Sequence, residues 1–321
     1  MSSPQAIAVA REVLGSLAEA DVPLGPLTTY RVGGAAAIFV RPTTLEHLVT
    51  LSEAVRRSGL TVLVVGRGSN LLVADTGFAG IAVSLGGLCT DIDIADHSVV
   101  AGGAVALPVL ARRTVAVGLS GFEWAVGVPG TVGGGVRMNA GGHGSDMASS
   151  LVDVEVFDLL RGEGTTLAAA QLGLRFRGSD LADHQVVLSA RLALTPGDRA
   201  AGEAELDEVV RWRREHQPGG QNAGSVFVNP VPGEVAAGAL IDQLGLRGLR
   251  IGTAHVSEKH ANFIQADDGG SADDVRAVIE TVRARVAADT GFVLRSEVRL
   301  VGFADQPHTV DAAHQPAGVS W

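Results

Sequence analysis

The stretch GVPGTVGGGVRMNAGGHGSD, residues 127–146, limits the folds open to this chain more than any other. It places seven glycines between Gly127 and Gly142, with Pro129 setting a bend. Glycine loses more conformational freedom on folding than any other residue, so this density is costly unless the backbone must come close to something. A ligand that demands close backbone approach would offset that cost. The competing reading is a loop-rich surface structure. His143 alone reads as a polar loop residue. The whole chain has 42 glycines in 321 residues, roughly twice the average share of about 7%.

A second glycine stretch, GRGSN at 66–70, follows the apolar run LTVLVVG, which reads as a short buried strand. Its glycines let backbone N–H groups face a phosphate, and Ser69 and Asn70 add donors. A connecting turn is the plain alternative. No G-x-G-x-x-G opening a helix occurs here, so the stretch is not a dinucleotide fingerprint.

At 321 residues, 46% apolar and 19% charged, the chain folds into two or three domains. The net charge of −10 excludes a broad nucleic-acid surface. Cys89 is the only cysteine, which excludes a disulfide framework and a cysteine-based metal site. No apolar run reaches the ~18 residues of a membrane span, and AIAVAREVLGSLAEA reads as an amphipathic helix, not a signal peptide. A reducing cytoplasm is expected.

PTTLEHLVTLSEAVRRSG predicts a helix with Leu45, Leu48, Ser52 and Val55 on one face, Thr43 and Glu46 as a capping box, and Gly59 at its end. IAVSL reads as a strand, and VVAGGAVALPVLARRTVAVGL as a strand, a turn and a helix. LVDVEVFDL and HQVVLSARLAL read as strands, PGDRAAGEAELDEVVRWRREHQP as a linker running into a helix, and GEVAAGALIDQLG as a helix. SADDVRAVIETVRARVAADTG predicts a helix capped by Ser271, with Val275, Val278, Ile279, Val282 and Val286 as its stripe and Gly291 as its stop. FVLRSEVRLVG predicts a strand with Phe292, Leu294, Val298 and Leu300 on one face and Arg295, Glu297 and Arg299 on the other.

Several polar residues stand out. Ser225 follows Ala223-Gly224 and precedes an apolar run closed by Asn229-Pro230; Arg177 sits in FRGS; Lys259, His260 and Asn262 crowd the strand entry SEKHANFIQ. Each has a plain reading: a turn serine, a solvated arginine, an exposed ion pair at Glu297.

Taken in order, TTYRVGGAA, VVGRGSNLLV, GVPGTVGGGVRMNAGGHG, FRGSDL, AGSVFVNP, LIDQLGLRG, HVSEKHANFI and LRSEVRLVG resemble the UDP-N-acetylenolpyruvoylglucosamine reductases, also called UDP-N-acetylmuramate dehydrogenases. The resemblance spans roughly residues 28–303 and is nearer the family's shorter, type II branch. It implies an α+β protein: a two-subdomain FAD-binding fold of the vanillyl-alcohol-oxidase type, residues 1–90 and 91–200, then a C-terminal α+β substrate-binding domain, 201–303, and a mobile tail, 304–321. It implies a flavoenzyme of peptidoglycan precursor synthesis, with NADPH as hydride donor, non-covalent FAD, UDP-N-acetylglucosamine enolpyruvate as substrate, and no metal, nucleic acid, membrane or protein partner. The implied FAD contacts are Gly66, Arg67, Gly68, Ser69, Asn70, Gly127, Pro129, Gly130, Gly133, Gly134, Asn139, Ala140 and Gly141. Arg177 matches the arginine that stabilises the substrate carboxylate, Glu297 the C-terminal glutamate that assists as donor or relay, and Ser225 the proton donor. Asn229, Lys259 and His260 are the implied substrate contacts. Three positions depart from the family pattern: Val228 where a lysine is common, His143 where an aromatic is common, and Thr28 where asparagine is usual. A flavin oxidase of the same fold, or a non-catalytic flavin-binding protein, are the competing functions.

Overall fold

The computed structural model describes residues 3–304. The tail expected from Ala304 onward falls almost wholly outside the described residues. Helix α1 (Pro4–Leu14) is capped by the Ser3 hydroxyl and ends at Gly15, and the residues that follow turn into a strand, Glu19–Pro23. That strand opens a four-stranded sheet ordered Glu19–Pro23, Ala35–Val40, Phe78–Val83, Val62–Val64, whose last three members are parallel. Helix α2 (Leu45–Ser58) covers it, and Gly59 closes α2 in the left-handed conformation. Its cap is Thr44, not Thr43, and Leu45 is 53% exposed, because the apolar face is carried by Leu48, Leu51, Ala54 and Val55. The Thr43 hydroxyl instead meets His47 Nδ1.

The middle of the chain is an antiparallel five-stranded sheet in the order Glu163–Ala168, Leu151–Asp158, Gln185–Ala193, Ser98–Gly102, Ile92–Ala95. Helix α3 (Leu107–Ala116) packs into its core with Phe122 and Trp124. The glycine-dense stretch is not all loop: residues Val132–Arg137 form a short helix, α4, capped by the Thr131 hydroxyl. Three successive glycines are poor helix formers, but α4 packs against Gly103 and Leu107, where larger side chains would not fit. Helix α5 (Arg199–His216) runs without a break from the expected domain boundary near Ala200, and its Leu206 and Val209 join the middle core.

The C-terminal region pairs Arg250–Ile251, Ala254–Val256 and Ile264–Ala266 in a small sheet, backed by helices α6 (Ala237–Gln243) and α7 (Ala272–Thr290). Helix α7 has the Ser271 cap, the valine-isoleucine stripe and the Gly291 stop read from its sequence. The long strand expected over 292–302 is only three residues, Arg299–Val301. It leaves its own region to pair in parallel with Leu71–Val73, directly after GRGSN. Residues 292–298 lie between two neighbours without joining a strand: Leu294 and Val298 enter the C-terminal core, while Ser296 bridges Phe227. Tyr30 and Leu72 join that same core, so residues near the first glycine cradle share one apolar cluster with the C-terminal region. Among the described residues no helix is long and apolar enough to cross a membrane.

Candidate active site

A cleft of about 260 Å³ opens between the first sheet and the middle sheet, lined by Gly66, Arg67, Gly103, Gly133, Gly134 and Arg137 among others. The main-chain N–H groups of residues 66–70 donate to no acceptor among the described residues. Five successive amides without partners form a cradle suited to an anion such as a diphosphate. Gly68 holds the cradle's shape: its φ is +59°, and a Cβ there would lie 2.3 Å from the Leu27 carbonyl oxygen. Gly103 lets the opposite wall close, since its Cβ would lie 2.1 Å from the Val187 carbonyl oxygen. Gly68→Ala is therefore expected to lower stability by at least about 1–2 kcal/mol, from the left-handed conformation alone. Thermal unfolding checks it.

The structure gives several expected cofactor contacts other partners. Asn139 donates from Nδ2 to Asp146, and its Oδ1 accepts from Ala148 N, so its amide holds the loop itself. Ala140 N donates to Gly135 O, and Gly141 pairs with Asp146 in a two-residue hairpin. Gly127 faces helix α5: a Cβ there would meet Val209 at 3.0 Å and Arg213 at 3.4 Å. Pro129 and Gly130 lead into α4, and Gly130 O accepts from Leu107 N. Ser69 lies beside Gly130. The Asn70 side chain turns away from the cradle and donates from Nδ2 to Glu297 O at 2.9 Å.

Arg177 and Glu297, 120 residues apart in sequence, form an ion pair with Nε to Oε2 at 3.0 Å. Their side chains are 26% and 16% exposed, which removes the solvated-surface reading for both. Arg177 has a φ of +58°, a conformation that costs energy in a residue with a side chain and clusters at functional sites. Its guanidinium also lies 4.9 Å from the Phe176 ring centroid. Burial pushes the Glu297 carboxyl above its ordinary range, although Arg177 and Arg295 pull the other way. Glu297 N donates to Val226 O at 2.7 Å, which sets Glu297 beside the segment carrying Ser225. Ser225 itself bridges Phe263, and its hydroxyl has no hydrogen-bond partner among the described residues.

The expected substrate contacts have structural partners of their own. Asn229 Oδ1 accepts from Ala237 N at the start of α6. Lys259 Nζ donates to Arg214 O near the end of α5. His260 Nδ1 accepts from Asn262 N, and burial with the Arg247 charge lowers its pKa. Asn262, buried, fastens the Ser225 segment through Phe227 N and Phe227 O. Sequence reasoning did not single out Gly103, Thr131, Arg137 or Gln185, which line the cleft. The paired glycines directly after a strand were a signal for Gly103; nothing in the sequence marks Arg137.

A model described as an FAD binding domain matches residues 36–168, the part of the chain that carries the glycine cradle, and defines a flavoprotein class. A second model, the UDP-N-acetylenolpyruvoylglucosamine reductase C-terminal domain, matches residues 216–301. The UDP-N-acetylenolpyruvoylglucosamine reductase of Heliobacterium modesticaldum is 43% identical over 282 residues, covering 87% of this chain and 89% of that protein. That of Gloeobacter violaceus is 43% identical over 284 residues, covering 88% and 95%. The crystal structure of the Thermus caldophilus reductase superposes with a TM-score of 0.77 at 34% identity, covering 88% of this chain and 98% of that one. The chain belongs to the UDP-N-acetylenolpyruvoylglucosamine reductase family.

Proposed function

We propose that the chain reduces UDP-N-acetylglucosamine enolpyruvate to UDP-N-acetylmuramate with NADPH, in the cytoplasm, as a step in peptidoglycan precursor synthesis. The observation that carries this reading is the half-buried Arg177–Glu297 pair set against the Ser225 segment, in a chain of this family. FAD, held by the amides of Gly66, Arg67, Gly68 and Ser69 with Gly133 and Gly134 on the facing wall, would supply the hydride relay between NADPH and the enolpyruvyl group. Its attachment is non-covalent. The one thiol, Cys89, is pushed up to about 11 by burial and by Glu155 and Asp91, which leaves it a poor nucleophile near neutral pH.

The chain's own groups do the rest. The two Nη groups of Arg177 have no partner among the described residues and are free to grip the substrate carboxylate with two parallel bonds. Charge that develops beside that carboxylate is met by a donor already in place. Ser225 Oγ, also unpartnered, gives the proton to the carbon next to the carboxylate. Glu297, kept neutral by burial to a higher pH than an ordinary carboxyl, returns a proton toward that region. The sign of the pH effect follows: the rate of the substrate half-reaction holds at low pH and falls as pH rises through the raised Glu297 pKa. Glu297→Gln removes that limb.

NADPH consumption checks the function directly. It is expected to depend on added UDP-N-acetylglucosamine enolpyruvate and to yield a product two hydrogens heavier. Equal consumption without the sugar would contradict the proposal.

A further inference from the structure

Two peptide groups flank the Cα of Glu297, and each is held by a different part of the molecule. The 296–297 peptide donates its N–H to Val226 O at 2.7 Å, next to Ser225. The 297–298 peptide offers its carbonyl to Asn70 Nδ2 at 2.9 Å, and no other group among the described residues donates to that carbonyl. Both backbone torsions of Glu297 are thus pinned, one from the Ser225 segment and one from the GRGSN loop. Asn70 O also accepts from Arg299 N at 3.0 Å, where the parallel pairing of Leu71–Val73 with Arg299–Val301 begins. Arg299 in turn reaches Asp183 with Nη2 at 2.6 Å, on the loop that carries Arg177. The main-chain N–H of Asn70 is meanwhile the last of the five unpaired amides in the cradle.

We propose that Asn70 is a positioning residue for the substrate half-reaction: its side chain ties the Glu297 peptide to the loop that cradles the cofactor phosphates. This rests on the catalytic reading of Glu297 given above. Ordering of the loop by an anionic group orders Asn70, and Asn70 fixes the torsion that aims the Glu297 carboxyl. Without the amide the carbonyl of Glu297 loses its donor, and the carboxyl drifts relative to Arg177 and Ser225. Small misplacements of this kind cost rate without touching the chemistry of other steps.

The test uses the FAD-loaded protein with Asn70→Ala, and with the nearly isosteric Asn70→Asp in case the alanine variant fails to fold. Reoxidation by the enolpyruvyl sugar is expected to slow by about 10–100-fold, toward the scale of a small misplacement, and flavin reduction by NADPH by a clearly smaller factor. The alkaline limb of that half-reaction is expected to move to lower pH, because a loosened Glu297 is better solvated. Hydrogen exchange of the 294–299 segment is expected to quicken while that of 62–66 is unchanged. In a Glu297→Gln background, Asn70→Ala is expected to add little. Equal slowing of both half-reactions, or a full added factor in the Glu297→Gln background, would overturn the proposal. A Glu297→Gln variant that reoxidises at the parent rate would instead overturn the catalytic reading of Glu297, and this proposal with it.

Discussion

Ser225→Ala is expected to leave flavin reduction by NADPH near its parent rate and to slow reoxidation by the enolpyruvyl sugar by roughly 10²–10⁴-fold, the usual scale for removing a positioned acid. The segment that carries the serine is held by its neighbours. Val226 N donates to Asn262 O at 2.8 Å, and Val226 O accepts from Glu297 N, so the segment is fixed on both edges. Gly224, with a φ of +79°, turns the chain just before it, and nothing lies within 4 Å of where its Cβ would be. A serine hydroxyl is a weak acid, so it serves only an acceptor as basic as an enolate in a site that excludes competing water. Ser225→Cys, with a more acidic donor of similar shape, is expected to recover part of the loss. Equal slowing of the two half-reactions in the alanine variant would make Ser225 structural. Stopped-flow absorbance separates the two cases.

Arg177→Lys is expected to slow the substrate half-reaction by about 10–100-fold, from loss of a charged hydrogen bond of about 1.5–3 kcal/mol, while flavin reduction survives. An ammonium keeps the charge but not the planar fork. In Arg177 one edge of that fork, Nε, is taken by Glu297 and leaves the Nη pair for a ligand. Lysine cannot do both. The φ of +58° at Arg177 is equally strained with lysine in place, so the two proteins are expected to melt at similar temperatures, which separates a catalytic loss from unfolding. Near-parent turnover in the lysine variant would leave the Arg177–Glu297 pair a structural contact only.

The elements whose signals are local were legible in the sequence. Helix α7 follows its cap, its stripe and its glycine stop to the residue. The strands Leu151–Asp158 and Gln185–Ala193 were visible from the alternating character of their residues. What was not legible depends on distant partners. Alternation over 292–302 suggested one strand, yet only Arg299–Val301 pairs, because Leu71–Val73 is the neighbour it finds. Helix α4 was hidden because three glycines argue against a helix, and the close packing that favours it lies on Gly103 and Leu107. Arg177, Ser225 and Glu297 were singled out through the ordered motifs of a family, not through spacing; the ion pair that joins two of them spans 120 positions. Asn70 was expected to point at a phosphate, because its motif does not show which way the amide turns. The same holds for Lys259, whose ammonium meets the Arg214 carbonyl.

Two other functions fit a flavin-binding cleft: an oxidase that hands electrons to oxygen, and a binding protein that does no redox chemistry. Neither explains why a half-buried arginine–glutamate pair is tied through the Glu297 backbone to the segment of Ser225, whose hydroxyl has no partner among the described residues. The most direct test is an anaerobic two-stage mixing of the yellow protein, followed by flavin absorbance. NADPH is expected to bleach the flavin, and UDP-N-acetylglucosamine enolpyruvate, added next without oxygen, is expected to restore the colour with one equivalent of UDP-N-acetylmuramate formed. Bleached flavin that stays reduced with the sugar and recovers only on admitting air would contradict the account.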